Sequence, residues 1–581
     1  MRLTAAIVCL AISPAFAADD GALAQLRRPG VPPREVPADT PVVVDPTAVP
    51  PPSRDLRYEM APVPDRWRLV NTIGVLDDPW NPYRQSTLKG DRPIYKDYFF
   101  SFSAILDTVY EPRSFPVPVG LQSTGNPGDN DAFGRTPSNV LSGNLILSAA
   151  IIKGDTAFKP PDFELRFTPV FNRNRVEVDE PRLLYPDPSR GTRRTDQFVG
   201  LQDAFLDYHL RNVSDRYDFD SIRVGIQPFI SDFRGFLFQD NQLGVRLFGS
   251  RSNNQWQYNA AWFRRLEKDT NSGLNDAWHQ TRSDDVVAVN LYRQDFPVLG
   301  FTSQATVMHN RNREGADGFH YDKNGFLQRP APIGFERPRD YDVTYFGLNG
   351  DGHFGRLNLT ASAYYAHGKD KNNPFTDETA DIRAYFAAAE PSIDFDWFRL
   401  RLAGAYASAD KNPFDRKETG FDAIFENPQF AGADASYWIR QAIPLIGGGG
   451  LALSGRNGML ASLRTSKEEG QSNFNNPGLA LLGGGADLDI LPELRFSVNA
   501  NRLWFADTKV LDTLRMQEGI SRDIGWDLSA AFVYRPFQTQ NVVLRLSGAV
   551  LLPGKGFKEL FDSFEGNKTY YSVLTNIVLT Y

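Results

Sequence analysis

Cysteine is nearly absent: one residue, Cys9, in a chain of 581. Because Cys9 lies in a leader expected to be removed, the mature chain has no disulfide and no thiol chemistry to draw on. Histidine is scarce as well. The six histidines, spread from His209 to His367, form no HExxH pattern and no close pair, so no metal site and no cofactor are expected. After the leader there is no run of about 18 apolar residues, which excludes a membrane-spanning helix. No polybasic run occurs either, so nucleic acid is not an expected partner. Two glycine clusters, 447–450 and 483–485, lack the GxxxxGK[ST] context of a phosphate-binding loop. They are expected to give a flexible loop and a kinked strand. Residues 126–131 offer oxygens for calcium without the spacing of a calcium loop, and are expected to be a polar surface loop.

What is present begins with an export signal. Met1 and Arg2 form a short positive start, 3–12 is apolar, and Ala15-Phe16-Ala17 is an A-x-A cleavage site. Residues 1–17 are therefore expected to be a secretory signal peptide. Val8 stands before Cys9 where a lipoprotein signal wants a small residue, so no lipidation is expected. Without Arg2 the 63 Lys and Arg fall to 62, against 70 Asp and Glu, and the mature chain is mildly acidic. Residues 18–95 form an N-terminal segment. Its first part, to about Ser53, is proline-rich, with Pro32-Pro33 and Pro50-Pro51-Pro52, and cannot build a core. Its second part, 55–93, carries Trp67, Trp80 and Tyr83 and is expected to pack irregularly at the periplasmic mouth of the large domain C-terminal to it.

From about residue 96 the texture scarcely changes. Segments of roughly ten residues with alternating polarity are separated by turns or polar loops. The last, 569–581, sets Tyr571, Val573, Thr575, Ile577, Leu579 and Tyr581 at spacing two, hence on one face of a strand. In an open sheet such an edge invites aggregation. In a barrel it closes the sheet and faces lipid, and its end resembles the signature that barrel proteins present to their assembly machinery. Aromatics make up 13% of the chain and the mean hydropathy is −0.38, which fits an apolar outside and a wet inside.

Residues 96–581 are thus expected to be all-β, a transmembrane antiparallel β-barrel. Strands are expected at 97–111, 139–153, 161–174, 197–211, 217–229, 236–250, 254–265, 285–294, 299–310, 341–350, 356–367, 379–390, 396–409, 476–489, 493–505, 523–536, 541–552 and 569–581. That is about 18 strands, with 16 the next count. Connections after odd strands, such as 112–138, 311–340 and 410–475, are long, and those after even strands, such as 251–253 and 491–492, are tight. Only the one around 231–235 breaks the rule. The alternation implies an outer-membrane barrel with both termini periplasmic. Sixteen to eighteen strands leave an aqueous channel, so a conduit is expected.

Alternation also sorts each strand into two faces. Phe398, Leu400, Leu402 and Tyr406 oppose Arg399 and Arg401. Phe163, Leu165 and Phe167 oppose Glu164 and Arg166. Phe496 and Val498 oppose Arg495, and Leu544 and Leu546 oppose Arg545. A charge on the lipid face costs roughly 2–4 kcal/mol at the midplane, so the polar sets are expected to line the lumen. Arg223, Gln227, Arg246, Arg265 and Arg356 join Arg166, Arg399, Arg401, Arg495 and Arg545 as expected pore-lining residues. Arginine rings favour anions, and guanidinium groups match carboxylates and phosphates, which points to a small anionic or saccharide solute. The alternative is that the arginines pair with Glu164, Asp203, Asp207 and Asp527 and stiffen the wall.

One stretch carries a family resemblance. Leu201 to Tyr208, then Ile222-Arg223-Val224-Gly225-Ile226-Gln227, Asp232-Phe233-Arg234-Gly235 and Leu243-Gly244-Val245-Arg246-Leu247 follow one another. This succession resembles the alginate-export porin family, with Gly225, Gln227, Gly244 and Arg246 matching its motifs. Ile226 stands where the family has arginine and Leu243 where it has aspartate. The resemblance implies an eighteen-stranded barrel with an arginine-rich lumen for an anionic polysaccharide.

Two rival classes remain. A surface receptor or adhesin would use the long loops, above all 410–475 with Tyr437 and Trp438, a loop that could equally fold inward as a constriction. An outer-membrane lipid hydrolase would need a serine and a histidine on the outer wall, and no such motif is found. No catalytic residue is expected, and no plug domain of the kind active receptors carry is evident. The expected partners are outer-membrane lipid, the barrel assembly machinery at the C-terminal strand, and the solute.

Overall fold

The computed structural model describes residues 74, 77–81, 83–84, 86–116, 135–154, 160–216, 218–330, 335–440, 469–561 and 570–581. The expected signal peptide 1–17, the proline-rich segment, the 126–131 loop and the glycines 447–450 lie outside the described residues. Among these, eighteen long strands form one sheet. The first nine are β1 (Tyr98–Ser114), β2 (Pro137–Lys153), β3 (Phe163–Val178), β4 (Arg193–Asn212), β5 (Phe219–Ile230), β6 (Gln239–Arg251), β7 (Trp256–Arg264), β8 (Asp284–Arg293) and β9 (Phe301–Asn312). The second nine are β10 (Tyr341–Phe354), β11 (Leu357–Asp370), β12 (Ala380–Phe395), β13 (Phe398–Ala407), β14 (Leu479–Leu491), β15 (Leu494–Trp504), β16 (Asp523–Tyr534), β17 (Val542–Pro553) and β18 (Tyr570–Thr580). Each pairs antiparallel with its neighbours in sequence. β18 then returns to β1 through Ile105–Thr580, Thr108–Ile577 and Tyr110–Thr575. The sheet is a closed 18-stranded antiparallel barrel, and closure leaves no edge. Every expected strand is present, with bounds moved by a few residues.

The chain alternates because the two faces of the wall meet different surroundings. Leu165, Leu206, Phe346, Leu348, Leu400, Leu402 and Leu546 are exposed on the outer face. Thr168, Asp207, Tyr345, Ala403 and Ser547 are buried on the inner one. The glycines 483–485 lie within regular pairing of β14 to β13 and β15, not at a kink. A Cβ on Gly483 would meet Asn501, and one on Gly485 would meet Asn499, so close packing of side chains explains these two.

The stretch expected to be irregular ends in a strand. Lys89–Tyr95 pairs with β1 through Lys89–Ser101, Pro93–Phe99 and Tyr95–Tyr98, at the point where β18 has run out. The Tyr581 N–H donates to the Ala104 carbonyl at 2.8 Å, and the Phe102 N–H to the Leu88 carbonyl at 2.7 Å. The short strand therefore continues the line of β18 and occupies backbone groups of β1 that would otherwise be open. Tyr581 is held there by its hydroxyl, which donates to the Pro79 carbonyl. The Lys89 ammonium lies 5.5 Å from its ring centre.

The interior differs from the expected wet tube. The inner face of β7 to β13 is apolar, with Phe263, Val286, Ala288, Met308, Tyr341, Tyr345, Tyr364 and Phe386 all buried. Such a face must be covered. Two connections fold inward to cover it, 231–238 between β5 and β6, and the described parts, 408–440 and 469–478, of the connection between β13 and β14. They bring Phe236, Phe238, Phe421, Phe425 and Phe430 into the cluster. Ring centres stand 5.0 Å apart for Phe236–Phe386 and 5.3 Å apart for both Phe236–Phe430 and Phe386–Phe421. Burying one such side chain is worth roughly 1.5–3 kcal/mol, and the sum offsets the cost of ordering the two loops.

Asp232 organises the shorter of them. Its carboxylate accepts the backbone N–H groups of Arg234 at 2.9 Å, Gly235 at 2.6 Å, Phe236 at 3.1 Å and Leu237 at 3.2 Å. It also accepts the Tyr364 hydroxyl at 2.8 Å. Gly235 sits at φ +74°, and a Cβ there would meet the Asn427 carbonyl at 2.7 Å, so the loop needs glycine at this turn. Asp232→Ala strands several buried donors at about 1–3 kcal/mol each. The expected result is a lower midpoint for urea unfolding of the barrel in micelles; an unchanged midpoint would show that the loop is held by other means.

Candidate functional site

The longer inward connection crosses the lumen. Near its start Lys417 and Glu418 pair parallel with Asp381 and Ile382 of β12. It then runs beside the shorter one, with the Asn427 N–H donating to the Gly235 carbonyl at 2.9 Å and the Gln429 N–H to the Arg234 carbonyl at 2.8 Å. The Ala431 N–H donates to Glu390 of β12 at 3.0 Å, while its carbonyl accepts the Asn501 amide of β15 at 2.9 Å. On the far side Asp527 of β16 accepts the Ser436 hydroxyl at 2.5 Å and the N–H groups of Tyr437 and Trp438 at 3.1 and 2.9 Å. The Tyr437 hydroxyl donates to the Ser114 carbonyl of β1 at 2.5 Å. The described part of the loop is thus a strap from one wall to the other.

On the side of the strap facing the tight turns lies a cavity of about 300 Å³. Arg234, Arg399, Arg401 and Arg545 line it, against the carboxylates Glu390 and Asp487. Four guanidinium groups therefore face two lining carboxylates, with Asp394, the partner of Arg399, a third beside them. Arg401 grips Asp487 with Nε and Nη2 at 2.9 and 3.0 Å and donates to the Asn499 side-chain oxygen at 2.9 Å. Arg234 lies 3.4 Å from Glu390 and donates to the Thr360 hydroxyl at 2.9 Å. Toward the long loops a second cavity, of about 440 Å³, is lined by both signs, Glu267, Asp322 and Glu469 with Arg282, Lys323 and Arg329 among them. Beside it sealed Glu314, which burial alone would raise, is held down to about 2 by Arg282 and Arg329.

The ten expected lumen residues divide into groups. Arg166 and Arg223 are inward and paired, with Glu164 at 2.7 Å and Asp207 at 2.7 Å. Arg399 and Arg495 pair across the tight turns with Asp394 and Asp489. Arg246 is inward and donates to the Asn259 oxygen at 2.6 Å instead of to a carboxylate. Gln227 and Arg265 are inward but sealed: Gln227 donates to the Gly244 carbonyl at 3.1 Å, and Arg265 meets Asp284 at 2.9 Å beneath the Phe425 ring. Arg356 is a correction. It occupies the two-residue turn 355–356, exposed, because the β10–β11 hairpin closes one residue before it would enter the wall. Of the acids named as pairing partners, Asp203 accepts from Asn241 at 2.8 Å and Asp527 from the strap. Arg234, Glu390, Asp487 and Asn499 were not singled out from sequence. The dense aromatics around Arg234, from Phe233 to Phe238, were the available signal that this short loop turns inward.

Two carboxyls at the root of the strap are poorly suited to ionise. Burial pushes Asp410 up to about 7, with Asp415 adding to the rise and Thr419 and the Asn412 N–H opposing it. Among the described residues its Oδ2 has no hydrogen-bond partner. Burial and then Asp370 hold Glu418 well above the usual carboxyl range, against Arg339; the Asn373 amide donates to it at 3.0 Å.

The wall and its strap define a class before any comparison: a closed barrel whose lumen is partly filled by its own loops. No known protein family matches the sequence, and no curated protein matches it. Among solved structures the chain is similar to OccK9 (OpdG) of Pseudomonas aeruginosa, at 13% identity and a TM-score of 0.47, with 83% of this chain and 98% of that one covered. OccK7 (OpdD) of the same organism gives 11% and 0.45 over 83% and 98%. A BenF-like porin from Pseudomonas fluorescens gives 11% and 0.44, also over 83% and 98%. At this distance the likeness carries nothing about what the barrel does, and the resemblance of 201–249 to alginate-export porins finds no support in it.

Because the docked value of Asp410 exceeds its unfolded one, the docked strap binds an extra proton between about pH 4 and its own value. Docking therefore weakens as pH rises through that window. Single-channel conductance in planar bilayers is expected to rise or grow noisier from about pH 5 to about pH 8, and Asp410→Asn is expected to flatten the profile. A wild-type profile retained by that variant would remove Asp410 from the strap's anchorage. Asp527→Ala, which frees the far end of the strap, is expected to raise conductance at every pH.

Proposed function

We propose that the chain is an outer-membrane channel of the porin kind that passes polar, anionic solutes, acidic saccharides among them, by passive diffusion. The apolar outer face supports the membrane setting, since exposed leucine and phenylalanine on strand after strand suit lipid and not water. Both chain ends described lie at the tight-turn end, which is then the periplasmic one, reached after removal of the signal at 1–17. In this reading the C-terminal strand is what the assembly machinery engages.

The single observation that carries the anionic preference is the excess of guanidinium over carboxylate in the cavity beneath the strap. Fixed cations in a low-dielectric, narrow passage attract anions and repel cations. Arg234, Arg399 and Arg401 of this cavity are themselves ion-paired, as are most lumen arginines, so the preference rests on the balance of lining charges and not on unpaired arginine. The channel reading also accounts for the strap better than a receptor does, since a receptor would display this loop, and its described residues are largely buried. No catalytic residue is assigned.

The test is the reversal potential of the purified barrel in a planar bilayer under a KCl gradient. Anion selectivity is expected, moving toward zero in the Arg401→Gln, Arg545→Gln double variant. A cation-selective or permanently closed barrel would refute the anionic preference.

A further inference from the structure

The outer wall carries an alternating row of charges at the long-loop end. Taken strand by strand, Arg264 of β7 stands beside Asp285 of β8, and Asp285 beside Arg311 of β9. Arg311 stands beside Asp342 of β10, Asp342 beside Lys369 of β11, and Lys369 beside Asp381 of β12. All six point outward, because an even number of residues separates them from the exposed Trp262, Val287, Phe346, Tyr365 and Tyr385 on their strands and rows. Two residues along each strand comes a row of His309, Thr344, His367 and Arg383. Two further on comes an aromatic row, Phe346, Tyr365 and Tyr385, exposed by 50%, 45% and 53%. The charge row therefore stands at the border of the apolar belt, where headgroups meet the wall.

Each acid of that row already has a cation. Asp285 is held by Arg264 at 3.1 Å, Asp342 by Arg313 at 2.6 Å and Asp381 by Arg383 at 3.2 Å. Arg311 and Lys369 are left over. Both are exposed, and among the described residues neither makes an ion pair or hydrogen bond through its side chain. They flank Asp342 two strands apart, roughly 10 Å. Histidines and aromatic rings lie directly below them on the lipid side.

We propose that this outer face of β9 to β11 docks phosphate-bearing lipid headgroups, with Arg311 and Lys369 as the two cations that receive the phosphates. The proposal takes its membrane setting from the channel reading. Charge complementarity selects the occupant: surplus cations at an interfacial border draw anionic headgroups, while acyl chains below meet the aromatic row. A second copy of this chain would bring the same surplus charge and be repelled.

Native mass spectrometry of the full barrel, released from micelles carrying phosphatidic acid or phosphatidylcholine, tests it. Wild type is expected to retain phosphatidic acid in preference. Arg311→Gln and Lys369→Gln are each expected to weaken that retention roughly fivefold, and Arg311→Lys to keep it. Heat-shifted mobility on a gel verifies that each variant is folded. Equal retention by wild type and the double variant overturns the site, as does full displacement of the lipid by inorganic phosphate. Bilayer conductance separates the two readings. A barrel that retains phosphatidic acid but conducts nothing overturns the channel alone, and one that conducts without lipid preference overturns the docking surface alone.

Discussion

Every backbone amide and carbonyl inside a hydrocarbon layer must find its partner within the protein, and a sheet meets that demand only by closing on itself. The pairing of β18 with β1 is the step on which the remainder depends. Closure fixes which residues face out and which face in, strand after strand, because one residue of slip would exchange the two faces. The exposed leucines of the outer wall, the inward arginines and the border row of charges are all consequences of it.

Closure at eighteen strands encloses more space than side chains of the wall can fill. This barrel fills part of it with chain. The strap and its shorter companion supply the apolar partners that β7 to β13 lack, and they are fixed by carboxylates placed where backbone donors converge, Asp232 on one side and Asp527 on the other. The lumen is thus shaped by a second core rather than by the wall alone. Charge in that core is mostly cancelled in pairs such as Arg401–Asp487 and Arg265–Asp284.

Much of the fold was legible in the sequence because alternation is a local property. The strands and the long and short connections come from period two and turn residues, and Leu165 against Arg166 already tells out from in. The contents of the lumen were not legible. Whether Arg223 is free or clasped by Asp207 depends on register between strands, and whether Phe425 is displayed or buried depends on contacts with Leu237 and Phe238, far away in the chain. Gln227 and Arg265 have the alternation of lumen residues, yet an inward loop seals them. Arg356 shows the remaining weakness, since a strand's last residue cannot be told from a turn's first by pattern. The surplus of Arg311 and Lys369 likewise emerges only when six strands are set in register.

The strand opposite β1 is composed of two pieces drawn from opposite ends of the chain, β18 up to Tyr581 and Lys89–Tyr95 beyond it. Residues far apart in the sequence must meet before either piece is fully paired, and contacts of such long range come late in a chain folding from local pieces. The barrel can be complete everywhere else and still be an open ribbon. Its seam is marked by both pieces at once: a chain that lacks the last residues, or those around 89–95, leaves unsatisfied backbone groups on β1.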